Sequence, residues 1–211
     1  MFLMGILLAI VVPGALNIVT AQAAEFHCSV EPCRATLEPD GAEATAHHVF
    51  VVKNTANESV SFTCTAIAGE GTSSAKTTKE LTVTNIAYTH CTAVGQAVAV
   101  RMNSCDYRFT AEGQVSIQGC AAGKKIEVEI VPTKCIATVG EQGPLKGVSY
   151  HSFKEQGSGL TEVTASAKVP GIVATLDGTT AQCLMDVSKT PLTSEYTTGN
   201  TIVKEEEDPG G

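Results

Sequence analysis

The 211-residue sequence has no tryptophan and only 4 tyrosines and 6 phenylalanines. Flat aromatic platforms are the usual grip on sugar rings, so their scarcity weakens a carbohydrate-binding role. Positive charge is also sparse: 14 Lys and Arg stand against 22 Asp and Glu, for a net charge of -8. Nucleic acid and anionic bilayers call for a basic surface, so neither is an expected partner. No G-x-S-x-G elbow occurs, and no C-x-x-C that would suggest a zinc or redox pair. Beyond the first 24 residues there is no long apolar run, no lipobox cysteine and no sorting motif.

What is present starts with a leader, MFLMGILLAIVVPGALNIVTAQAAE. Ala21 and Ala23 occupy the two positions a signal peptidase reads, which predicts a signal peptide over 1–23 and a mature chain from Ala24. The Lys or Arg of an ordinary n-region is missing, since the first charge is Glu25. The alternative is an uncleaved anchor, because Phe2 to Ala24 is long enough to span a bilayer, although Pro13, Asn17 and Gln22 dilute it. Either way the remainder is expected to be secreted or held in the cell envelope. Its partner is then an unknown envelope or extracellular molecule, with no membrane contact after cleavage. Residues 24–203 are expected to form a single β domain, with a division near 140–147 as the alternative. The acidic ending KEEEDPGG (204–211) is expected to be disordered.

Eight cysteines, Cys28, Cys33, Cys64, Cys91, Cys105, Cys120, Cys135 and Cys183, form an even set behind an export signal. Such a set reads as a disulfide framework. Cys28 and Cys33 enclose only Ser-Val-Glu-Pro, and Pro32 favours a bend that closes a small loop. The other six allow fifteen connectivities, among which Cys64 with Cys91 is the guess. Cys64, Cys105 and Cys135 sit on apolar strand faces, which suits bonds through a core.

Threonine is abundant, at 26 residues, and Val and Ile recur in alternation between Gly and Asn punctuation. These are strand signals. In VSFTCTA, Val60, Phe62, Cys64 and Ala66 share one face; in ELTVTNIAY, Leu81, Val83 and Ala87 do so. GEGTSSAKTTK between them reads as an exposed loop. Further strands are expected at QAVAVRM, CDYRF, QVSIQ, KIEVEIV, KCIATV, GVSYHSF, TEVTASAKV and IVATL. A turn at Pro132-Thr133 places Ile126, Val128 and Ile130 opposite Val139, Ala137 and Cys135. No stretch of the mature chain has a 3.6-residue period, so helix content is expected to be small.

Cys105 and Cys120 flank the turn-like Ala-Glu-Gly-Gln symmetrically, which invites a disulfide. Pairing them directly sets Tyr107 opposite Gln118 and Phe109 opposite Ser116. Shifting by one residue restores apolar opposite apolar but sends the two sulfurs to opposite faces, beyond the Cβ separation of about 4 Å that a disulfide needs. Burial of several side chains outweighs symmetry, so Cys105 is expected to bond elsewhere unless a bulge near Gly113 or Gly119 resets the faces.

Val100, Met102, Asn103, Cys105, Tyr107 and Phe109 form V-x-M-N-x-C-x-Y-x-F, followed by Cys120-Ala-Ala-Gly-Lys and a distal EYTTGNTIVK. This order resembles a group of secreted β-rich proteins from actinobacteria to which no function is assigned. The match covers about residues 60 to 203, with Cys28 and Cys33 as additions. It implies export and disulfides, and carries no catalytic residue.

Ser73-Ser-Ala-Lys76 fits S-x-x-K, but that spacing works only on a helix, and S-D-N and K-T-G are missing. A Ser/His/Asp site would have to be gathered from His47, His48, His90, His151, Asp106 and Asp186, each of which reads as a surface or strand-end residue. His27, His47 and His48 near Cys28 could bind Zn or Cu, yet adjacent strand residues point apart. Asn57-Glu58-Ser59 is a glycosylation sequon, silent in a bacterium. The expectation is an all-β protein, an antiparallel β-sandwich or jelly-roll-like domain braced by disulfides. It is given a non-catalytic binding or structural role, with a secreted hydrolase as the alternative, and no catalytic, cofactor or metal residue is assigned.

Overall fold

The structure, a computed structural model, describes residues 25–27, 31, 33–39, 47–154 and 161–205. The leader, Cys28 with its expected bond to Cys33, and residues 206–211 of the acidic tail lie outside the described residues. The strands are β1 (Phe26–His27), β2 (Cys33–Pro39), β3 (His48–Lys53), β4 (Ser59–Ser73), β5 (Thr77–Thr78) and β6 (Glu80–Ala93). There follow β7 (Gln96–Arg101), β8 (Asp106–Thr110), β9 (Gln114–Gln118), β10 (Ile126–Ile130) and β11 (Cys135–Val139). Last come β12 (Gln142–Lys146), β13 (Val148–Lys154), β14 (Thr161–Ile172), β15 (Ala174–Asp177), the short helix α1 (Thr180–Cys183) and β16 (Thr193–Glu205).

The chain is all-β. Fourteen strands make one antiparallel sheet, and β1 with β5 makes a separate two-stranded ribbon. The spine is the pair β4 and β6, long enough that each serves two neighbours. On its far side β4 takes β3 at one end and β2 at the other, and β16 takes the same two. β6 forks likewise to β8 and β7. One arm then runs β8-β9-β12 and the other β7-β10-β11-β15.

Both arms curl back to β14 and its continuation β15. Where β12 passes into β13, the Lys168 amide donates to the Gly147 carbonyl at 2.7 Å, and the Gln142 side chain bonds both backbone groups of Val173 at 3.1 and 2.7 Å. Gly147 has φ +124, and a Cβ there would lie 2.0 Å from the Lys168 carbonyl oxygen, so only glycine lets the strands close. The rolled sheet wraps an apolar interior holding Val52, Phe62, Ile117, Val128, Ile130 and Met185. Among the described residues no helix is long and apolar enough to cross a membrane.

The β10-β11 register is the expected one, Ile126↔Val139, Val128↔Ala137 and Ile130↔Cys135. Its loop is wider than a two-residue turn: Lys134 takes φ 64 and its amide donates to the Ile130 carbonyl at 2.8 Å. On β4 the buried face passes from Val60, Phe62 and Cys64 to Ile67, so Ala66 does not continue it. On β6 the Asn85 backbone at φ 52 inserts a bulge, which buries Ile86 and leaves the expected Ala87 exposed. Residues 69–73, read as loop, instead extend β4 between β2 and β6. Lys204 and Glu205, expected to belong to the disordered tail, instead pair with Thr36 and Ala35.

Among the described residues three disulfides brace this sheet. Cys64 and Cys91 face each other directly across β4 and β6, as guessed, and Cys135–Cys183 ties β11 to α1. The third corrects an expectation: Cys105 is bonded to Cys120. The burial argument found the right register, since Tyr107 opposes Ile117 and Phe109 opposes Val115. It failed one residue beyond the ladder. Pairing stops at Asp106↔Gln118, and Gly119 at φ +68 turns the chain into left-handed space while Asn103 and Ser104 do so on the other side, at φ 51 and 63. Strand parity no longer applies there, and Cys120 comes round to the Cys105 side.

Candidate functional site

The rolled sheet lines a hollow of about 150 Å³ whose wall draws on both arms, including Phe50, Phe62, Val128, Leu145 and Ile172. The wall contains no Lys, Arg, Asp or Glu. Its polar side chains centre on His48, Tyr88, Tyr107 and Tyr196.

Each of the four is aimed inward by its strand. HVFVVK alternates, and β3 buries His48 and Val52 while Phe50 packs on the same core. Directly opposed residues of antiparallel strands share a face. Tyr196 opposes Phe50, and Phe50 opposes Phe62, so Tyr196 faces the core. Tyr107 opposes both Val83 and Ile117, and Tyr88 opposes Ile67, all three of them buried.

The cluster is bonded in series. Tyr107 and Tyr88 hydroxyls are 3.1 Å apart, the Tyr88 hydroxyl donates to the Tyr196 oxygen at 3.5 Å, and the Tyr196 hydroxyl lies 2.6 Å from His48 Nδ1. The His48 ring also meets the edge of Tyr88 at 5.7 Å and stacks on Tyr196 at 6.1 Å. Burial first, and the neighbouring His47 second, lower the His48 pKa from 6.5 to about 4. Burial likewise pushes the Tyr88, Tyr107 and Tyr196 hydroxyls well up. All four are neutral at ordinary pH. His48 Nε2 is buried and has no hydrogen-bond partner among the described residues.

The residues weighed from sequence do not assemble with this cluster, His48 excepted. His48 does begin a strand, but it is 3 % exposed rather than a surface residue. His47 and His90 are exposed, and His151 lies on β13 opposite Thr164. His27 on β1 lies 3.3 Å from the Thr77 hydroxyl. Asp106 begins β8, with its pKa raised by burial. Asp186 accepts from the Ser188 hydroxyl at 2.6 Å, and its bonds from Ser188 hold its pKa low. Ser73 turns back on the Ala75 backbone instead of starting a helix. Asn57 is exposed on the β3-β4 turn at φ 63. Among the described residues no three His, Cys, Asp or Glu side chains converge to hold a metal ion.

Sequence reasoning missed the tyrosine cluster. The signal for His48 was the alternation His48, Phe50, Val52, which places it on an apolar face. Tyr88 was hidden by the bulge at Asn85. Comparison with protein-family models, curated proteins and solved structures returned no match.

Proposed function

We propose that this chain is a secreted binding protein that encloses a small apolar molecule within its rolled sheet. The observation that carries the reading is the hollow of about 150 Å³ with an uncharged, largely hydrocarbon wall. Protein interiors pack densely and seldom leave room on this scale. An empty hollow of that size costs about 4 kcal/mol at roughly 24 cal/mol per Å³. Apolar cavities of about this volume stay dry and take up single-ring molecules such as benzene. Three cross-links help the fold carry such a void, and they suit an extracellular protein. The resemblance to secreted actinobacterial proteins adds to the case for export.

Ala167 on β14 lines the hollow, so Ala167→Leu should fill it. Calorimetric titration of the oxidised chain with toluene should show saturable binding that this variant abolishes while its circular dichroism stays unchanged. Equal binding by both proteins, or none by either, would remove the interior as the site.

A further inference from the structure

The proposal above leaves open what distinguishes one small apolar molecule from another, and the hydrogen-bond series answers it. The Tyr196 oxygen accepts from the Tyr88 hydroxyl at 3.5 Å, and with its own proton directed to its closest partner, His48 Nδ1 at 2.6 Å, that ring nitrogen is the acceptor. A neutral imidazole holds one proton, and with Nδ1 accepting, that proton sits on Nε2.

Nε2–H is thus a donor that is buried, on a residue of the cavity wall, and without an acceptor among the described residues. Buried donors in native proteins are nearly always satisfied, and leaving one unmade costs more than the bond contributes when made. An occupant can accept the Nε2 proton.

We infer that the enclosed molecule is neutral, about the size of a single ring, and carries one acceptor oxygen, a carbonyl or ether, that receives the His48 Nε2 proton. This rests on the binding reading above and narrows it. Charged occupants are disfavoured by the same wall: it presents no Lys or Arg to a carboxylate and no Asp or Glu to an ammonium. Taking an unpaired ion from water costs several kcal/mol. The size follows from the volume, which matches single-ring cavities rather than those that hold long acyl chains.

The test is calorimetric titration of the oxidised chain and its His48→Leu variant with methylcyclohexane, cyclohexanone, cyclohexanecarboxylate and cyclohexylammonium. The variant should bind cyclohexanone about tenfold more weakly and methylcyclohexane within about twofold of the parent, because only the ketone uses the donor. The two ions should not bind either protein. Equal losses for ketone and hydrocarbon, no loss for the ketone, or tighter binding of either ion would overturn the acceptor assignment while leaving the cavity a binding site. Failure of all four on the parent would overturn both readings. Should the variant not fold, the parent decides it. Its His48 Nε2 nitrogen-15 resonance should move on adding cyclohexanone and stay put with methylcyclohexane, and identical behaviour with both would sink the assignment.

Discussion

His48 and Tyr196, 148 residues apart in sequence, share a 2.6 Å hydrogen bond in the interior of an otherwise apolar sheet. β3 and β16 bring them there by pairing over six positions, from Thr193↔Lys53 to Thr198↔His48. The bond ties the wall of the cavity to the protonation state of one residue.

Acid should therefore weaken the fold through His48. Its pKa is about 4 in the folded chain against 6.5 when free, so between those values the unfolded chain takes up the proton and the folded chain does not. The stabilisation is complete above pH 6.5, falls as pH drops, and is fully lost below about 4. The groups around the ring, Tyr88, Tyr107 and Tyr196, do not titrate in this window, and His47 adds repulsion once charged. The expected loss is on the order of 3 kcal/mol. Urea unfolding from pH 7.5 to 3.5 measures it, and His48→Gln should flatten the difference between pH 6.5 and 4. A parent curve as flat as the variant's would contradict the assignment.

Tyr196→Phe removes a hydroxyl that both His48 and Tyr88 use, whereas Tyr107→Phe removes only the outer end of the series. The first should cost about 2 to 3 kcal/mol and the second about 1, since stranding buried partners costs more than deleting a terminal donor. Paired denaturation curves test the order, and a reversed ranking would break the series as drawn.

Peptide mapping of the non-reduced protein should recover Cys105 joined to Cys120. Replacing both by Ala should cost about 3 kcal/mol for this loop of 15 residues, and removing Cys135–Cys183, which spans 48, should cost more. Reductant should lower the thermal midpoint and a chelator should leave it unchanged; sensitivity to chelator alone would point back to metal.

Gly147→Ala should be far more disruptive than Gly123→Ala. Both positions have positive φ, but a Cβ at Gly147 meets the Lys168 carbonyl at 2.0 Å, while at Gly123 nothing lies within 4 Å. The expectation is loss of soluble protein for the first, and for the second a decrease of about 1 kcal/mol, the cost of left-handed strain alone. Comparable stability of the two would show that β12 and β14 do not meet as described.

How far the sequence carries depends on where alternation holds. Within ladders it placed side chains correctly, as for Ile126, Val128 and Ile130 against Val139, Ala137 and Cys135, and for Tyr107 and Phe109 against Ile117 and Val115. It broke wherever one residue left the extended region, at Asn85 and at Gly119, because a single left-handed residue inverts every face beyond it. β2, β3, β12 and β16 were not read as strands. β12 carries Gly143 and Pro144, the turn chemistry of a loop, and β3 was obscured by paired histidines. The cavity was beyond reach for a different reason. Its polar members come from β3, β6, β8 and β16, and their meeting depends on how the sheet rolls, which no local pattern encodes.

His48, Cys64 and Cys91 occupy consecutive positions along one cross-strand row, His48↔Cys64 and Cys64↔Cys91, and Cys64 itself borders the hollow. One covalent latch thus sits beside the donor that would hold the cargo. Thiols that open it would slacken the container at its recognition point while the rest of the ladder still stands. Cargo loss should then precede loss of the far-ultraviolet sheet signal as reductant is added, making retention depend on oxidising surroundings as much as on the fold.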